Sequence, residues 1–197
     1  MSLSPERNGR LTASNFAAAM GLNPYQSRQK LYRQLIGIDP KFEGNEMTEY
    51  GSLHEPDAVD AYEAETGTIV EAANDKQMFI IHPEHNWLGC TPDGFVNDIN
   101  DTLVEFKCPY KQELYVNVPA YYLPQVQGQM MITGAAYCHF VCWTPDELAV
   151  WGVESRQDYQ EEMLELLTEF WQSVKSGEEP RRKKKPLLPA ISIERII

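Results

Sequence analysis

No apolar run in this 197-residue sequence is long enough to span a membrane. The opening residues, Met1-Ser2-Leu3-Ser4-Pro5-Glu6, lack the charged start and apolar centre of a signal peptide. A cytoplasmic location is therefore expected. Cysteine is scarce: Cys90, Cys108, Cys138 and Cys142 sit mostly within apolar stretches, and only the last two are closely spaced. That predicts buried thiols rather than disulfides and argues against a zinc or iron–sulfur site. A net positive charge is missing as well. The formal charge of −12 disfavours a generic polyanion binder. Between residues 42 and 75 Lys and Arg vanish altogether, while ten acids remain. No internal repeat is visible.

What is present suits one domain with a sizeable core. Residues 1–180 read as that domain and 181–197 as a basic, then apolar, tail. The front of the chain, residues 1–41, holds six basic residues against two acids, and Arg181 to Lys185 are consecutive bases. An acidic shell with a local basic lining would repel polyanions everywhere except at one channel.

The chemistry concentrates between Pro92 and Lys107. Pro92-Asp93-Gly94 is a turn signal that puts one carboxylate at a sharp bend. Leu103 to Lys107 then reads as a strand, and strand side chains alternate faces. Glu105 and Lys107 share one face; Val104 and Phe106 share the other. Magnesium takes oxygen ligands in near-octahedral geometry. Asp93, Glu105 and the main-chain carbonyl of Phe106 can supply part of such a set, and Glu55 can add a carboxylate from the preceding helix. Lys107 can orient a water or offset charge developing on phosphorus. Gln125 can position that water or hold Lys107. The same residues also fit a solvent-facing ion pair beside an ordinary turn acid.

In chain order, Thr12 or Ser14 can cap a short helix through Ala17 to Met20, stopped by Gly21. With Arg7 and Arg10 nearby, this is either a phosphate seat or a plain cap. Gln26 to Ile36 reads as a helix with Leu31, Leu35 and Ile36 inward and Arg28, Lys30 and Arg33 outward. Met47 to Thr66 is the next helix, closed by Gly67, with Leu53, Ala58, Ala61 and Tyr62 able to face the core. Pro56 interrupts its pattern, so the regular helix is expected to start there and leave Glu55 at its mouth. His54 reads as a packing residue, and His82 and His85 as exposed turn histidines. Strands are expected over Thr68–Glu71, Lys76–Ile81, Gly94–Val96 and Leu103–Lys107, with a hairpin turn at Asp98–Asp101. Tyr121 to Thr133 is a helix on which Gln125 and Gln129 share a face. Two strands, Tyr137–Thr144 and Leu148–Glu154, close the sheet. Asp158 to Ser176 is an amphipathic cover. Beyond Gly177 the tail is expected to be mobile, with Ala190 to Ile197 able to dock.

Five ordered blocks then carry a resemblance. Arg7-x-Gly9-x-x-Thr12-Ala13-Ser14, Gly51-Ser52-Leu53-His54-Glu55-Pro56-Asp57-Ala58, Thr91-Pro92-Asp93-Gly94, Val104-Glu105-Phe106-Lys107-Cys108-Pro109 and Tyr122-Leu123-Pro124-Gln125-Val126-Gln127 resemble the YqaJ-type viral recombinases. The best-known relative of that family is phage lambda exonuclease, among the PD-(D/E)XK nucleases. The resemblance implies an α/β fold: a central mixed sheet flanked by helices, with a restriction-endonuclease-like core. It implies a Mg²⁺- or Mn²⁺-dependent exonuclease, in a prophage-type setting, that degrades one strand of linear double-stranded DNA from its 5′ end and leaves 3′ tails. By position, Asp93, Glu105 and the Phe106 carbonyl would bind metal and Glu55 would complete the site. Lys107 would act on the water, with Gln125 assisting. Arg7 and Ser14, with Thr12 between them, would receive the 5′ phosphate. Leu22 and Met47 are candidates for separating strands. The family further suggests a ring-shaped homotrimer and a single-strand annealing partner. A structure-specific or restriction-type endonuclease on the same core, and a silent DNA-end binding module, are the competing readings.

Overall fold

A computed structural model of the chain describes residues 5–71, 79–96, 101–182 and 184–197. Half of the expected Lys76–Ile81 strand and most of the Asp98–Asp101 turn lie outside them. In order come β1 (Leu11–Thr12), α1 (Phe16–Ala19), α2 (Arg28–Leu35), α3 (Glu46–Thr66), β2 (Val70–Glu71), β3 (Ile80–Ile81), β4 (Leu88–Cys90), β5 (Gly94–Val96) and β6 (Thr102–Lys107). There follow α4 (Leu123–Thr133), β7 (Tyr137–Trp143), β8 (Leu148–Glu154), α5 (Gln157–Ser176) and β9 (Ile193–Arg195). Among the described residues the strands form a main sheet ordered β2-β5-β6-β7-β8-β9 and a small one ordered β1-β4-β3.

The main sheet is mixed because β6 and β7 run parallel while its other neighbours are antiparallel. A parallel pair needs a crossover, and α4 supplies it. That helix must therefore lie over the sheet face carrying Leu103 and Glu105. There Val126 and Met130 pack with Leu103, Cys138, Phe140 and Trp151. The opposite face, through Val104 and Phe106, packs on Ala58, Val59 and Tyr62 of α3. A third cluster joins the small sheet to α1, α2 and α5 through Leu11, Phe16, Leu88, Met163 and Phe170. All four cysteines are free and buried. No helix among the described residues is long and apolar enough to cross a membrane.

Several expectations are corrected. Helix α3 does not start at Pro56 but runs through it, Glu46 to Thr66. An interior proline costs about 3 kcal/mol, but this helix has both ends fixed and a packed face. The Asn45 side chain accepts from the Thr48 N–H at 3.1 Å, and Thr48 Oγ1 accepts from the Asn45 N–H at 2.8 Å. Gly67, in the left-handed region, closes the other end. Leu53 does not face the core; it is exposed. Arg28 is not outward: its guanidinium is buried over the Phe170 ring, 5.6 Å from the centroid, and meets Glu169 at 3.3 Å. A long aliphatic stem lets arginine pack while its head keeps a partner. His82 is buried, not exposed, because its Nδ1 accepts the N–H groups of Glu84 and His85, each at 3.1 Å. Neither Thr12 nor Ser14 caps a helix through its side chain. The carboxyl end docks as β9 on the edge of β8, and Gln29 Nε2 and Arg156 Nη1 donate to the carbonyls of Pro180 and Ala190 along the way.

Candidate active site

Strand alternation delivers Glu105 and Lys107 to the α4 face of β6. Glu105 is 2% exposed, a carboxylate burial that demands donors. Lys107 Nζ and Gln125 Nε2 both donate to its Oε1, and Gln129 Nε2 donates to its Oε2 at 2.7 Å. Gln125 and Gln129 reach it together because they are four apart on α4. The shared polar face of α4 is thus a lining for this carboxylate. Tyr122, just before α4, covers Lys107, with its ring centroid 5.0 Å from Nζ.

Asp93 closes the site from the turn before β5. Its Oδ2 accepts the Phe106 N–H at 2.8 Å, a bond on the β5 side of β6. Burial first, then the charge of Glu105, pushes the Asp93 carboxyl well above the usual carboxylate range, against the pull of Lys107. Burial pulls the Lys107 ammonium down, but Glu105 and Asp93 more than reverse that and hold it above its ordinary value. Glu55 of α3 lies near enough to act on both Asp93 and the Cys108 thiol. Among the described residues no three His, Cys, Asp or Glu side chains converge closely enough to hold a metal ion by themselves. The donors present are hard oxygens, and the mutual repulsion that raises Asp93 is what a cation would relieve. The residues therefore fit a divalent ion held by two carboxylates together with main-chain oxygen.

The other predicted cluster stands apart. Thr12 Oγ1 and Ser14 Oγ lie 3.1 Å apart, and Asn15 Nδ2 donates to Thr12 Oγ1 at 3.0 Å. Arg7 lies over the Phe79 ring at 5.9 Å, and burial lowers its affinity for a proton. Phe16, next in the segment, presses on Gly128 of α4, where any Cβ would run into its ring. Gly128 sits on the strip of α4 beside Gln125 and Gln129. One helix thus fixes both the carboxylate floor and the Arg7–Ser14 segment. Leu22 packs against the core instead of reaching outward, while Met47 is exposed at the first turn of α3. His54 bonds Asp57 at 2.7 Å and stacks on Trp143, in keeping with a packing role. The sequence placed Gln129 on the face of Gln125, as either a solvated face or a polar lining for a site, but gave Gln129 no role of its own. Nothing in the sequence pointed to Tyr122 as the cover of Lys107.

Comparisons with known proteins bear on the family and the fold. An alkaline exonuclease, LHK-Exo, from Laribacter hongkongensis superposes with a TM-score of 0.71 at 29% identity, over 88% of this chain and 91% of its own. The same enzyme in complex with dAMP gives 0.72 at 28% identity, with the same coverage. A phage-related exonuclease from Haemophilus somnus 129PT shares the fold, at 0.64 and 14% identity, over 86% of this chain and 93% of its own. Protein D345L of African swine fever virus is 25% identical over 156 residues, covering 64% of this chain. This chain spans 44% of that relative's length. The fold is the restriction-endonuclease-like one expected. The YqaJ-like viral recombinase domain matches residues 4–136, and the chain belongs to that family.

Proposed function

We propose that this protein is a metal-dependent nuclease that degrades one strand of linear double-stranded DNA from its 5′ end, leaving 3′ single-stranded tails. The observation that carries the reading is the convergence of Asp93, Glu105 and Lys107 under α4, with Glu105 held from three sides by donors. Asp93, Glu105 and the Phe106 carbonyl would hold Mg²⁺ or Mn²⁺, with Glu55 tuning the site. When bound, the ion would lower the pKa of a water and stabilise charge on phosphorus. Lys107, kept protonated by its two acids, offsets negative charge on the phosphoryl oxygens or orients the water. Gln129 fixes the Glu105 carboxylate in one rotamer. Gln125 divides its Oε1 with Lys107 and so sets where the ammonium points.

The 5′ polarity is supported by the second cluster. Arg7 is half-buried, and burial holds its guanidinium below its ordinary value. With the hydroxyls of Thr12 and Ser14 it offers what a terminal phosphate needs, charge-assisted and neutral donors together. The same reading includes a homotrimer and an annealing partner, both checked by mass in solution with and without DNA.

Linear duplex incubated with Mg²⁺ tests the core claim. Wild type should release nucleotides from 5′-phosphorylated ends, and Asp93→Ala and Lys107→Ala should not, while all three melt cooperatively. Equal activity in the three sinks the assignment. Cutting of covalently closed circles replaces it with an endonuclease, and end binding without turnover replaces it with a binding module.

A further inference from the structure

We propose that Tyr25 and Tyr121 form a stacking platform for an unpaired nucleobase of the DNA strand held at Lys107; the proposal rests on the nuclease reading above. Three tyrosines lead outward from the acid–lysine cluster. Tyr122 covers Lys107 at 5.0 Å. The Tyr121 ring follows, 4.5 Å from Tyr122 and tilted by 48°. The Tyr25 ring comes next, edge-on to Tyr121 at 5.7 Å. Exposure rises along the run: Tyr121 and Tyr122 are half-buried, while Tyr25 is 79% exposed.

A lone exposed tyrosine would be ordinary. This one is held in place. Asn23 Oδ1 accepts the N–H groups of Tyr25 and Gln26, at 2.8 and 3.1 Å, which fixes the loop before α2. Ring contacts seat Tyr121 between Tyr25 and Tyr122. The ordering penalty that binding would exact from a free side chain is therefore already met. Tyr25 comes from the α2 loop and Tyr121 from the approach to α4, so two separate segments converge on one surface beside the reaction centre. A nucleotide whose phosphate meets Lys107 carries its base only a few bonds away, within reach of these rings. Stacking uses the π-face that every base has, so it suits an enzyme that must travel through any sequence. Hydrogen-bond readout would not.

The test is a binding comparison without divalent cations, using a fluorescent 5′-phosphorylated duplex with a short unpaired 5′ end whose bases are present or abasic. Wild type should bind the base-bearing end about tenfold tighter than the abasic one. Tyr25→Ala should lose that preference by weakening only the base-bearing complex, and Tyr25→Phe, which keeps the ring, should retain it. Equal weakening of both ends, no weakening, or a base preference that survives Tyr25→Ala overturns the platform. Tyr25 is exposed enough for the variants to fold, which melting curves check. Cleavage by wild type in Mg²⁺ is read separately. A protein that binds ends with base preference but never cleaves fails the nuclease reading and leaves the platform standing.

Discussion

The floor around Glu105 and the rim around Arg7 are built on opposite principles. The floor holds more negative charge than it neutralises. Glu105 and Glu55 both act on the buried Asp93, and Lys107 answers only part of that charge. The rim has a cation partly stripped of water over an aromatic ring, and in the same segment two hydroxyls that meet each other. On the proposed function one region would take a cation and the other an anion, and α4 touches both, through its glutamines on Glu105 and through Gly128 on Phe16.

The comparison can be broken most forcefully at the floor. Glu105→Gln keeps the shape and removes the charge; single-turnover cleavage should fall by about 10²–10³-fold or more, while binding of phosphorylated ends persists. If both fall together, floor and rim are not separable. Arg7→Gln should do the reverse. Preference for 5′-phosphorylated over hydroxyl ends should drop by about tenfold, the worth of a hydrogen bond to a charged group, with digestion of hydroxyl ends unchanged. Gln129→Leu leaves Glu105 Oε2 without its donor. Denaturant unfolding should show a loss of about 1–3 kcal/mol, the penalty for an unsatisfied buried acceptor. Gln125→Leu should lose less, since Lys107 still serves Oε1.

The smallest effect lies away from both regions and calibrates them. His139 Nδ1 and the Tyr62 hydroxyl lie 2.6 Å apart between α3 and β7, and burial holds the His139 imidazole below its ordinary 6.5. The unfolded chain takes up a proton near 6.5 where the native one does not. Stability is therefore full above that pH and declines as pH falls toward the folded value. His139→Gln should flatten this part of the stability–pH curve, measured by denaturant midpoints. His82, also lowered by burial, supplies a residual slope of the same sign. A wild-type curve with the opposite slope would contradict the buried neutral imidazole.

Much of this was legible in residues near one another. The Asp93 bend, the shared face of Glu105 and Lys107, the Gln125–Gln129 strip and the glycine end at Gly67 all follow from period and turn chemistry. Two failures share a cause: Pro56 inside α3 and Arg28 over Phe170 obey tertiary packing against the local rule. His82 differs, since N–H groups of its own turn hold it. The two-residue strands β1 and β3 exist only because each finds β4, a partner far away in sequence for β1.

By itself the sequence determined which side chains could share a face, because strand and helix periods are fixed by the backbone alone. The tertiary structure decided which faces meet. The parallel pairing of β6 with β7 forces α4 across the sheet, and only that crossing brings Gln129 to Glu105 and Phe16 to Gly128. Burial then sets the charge balance of the site, since a carboxylate's cost depends on the donors and water left around it.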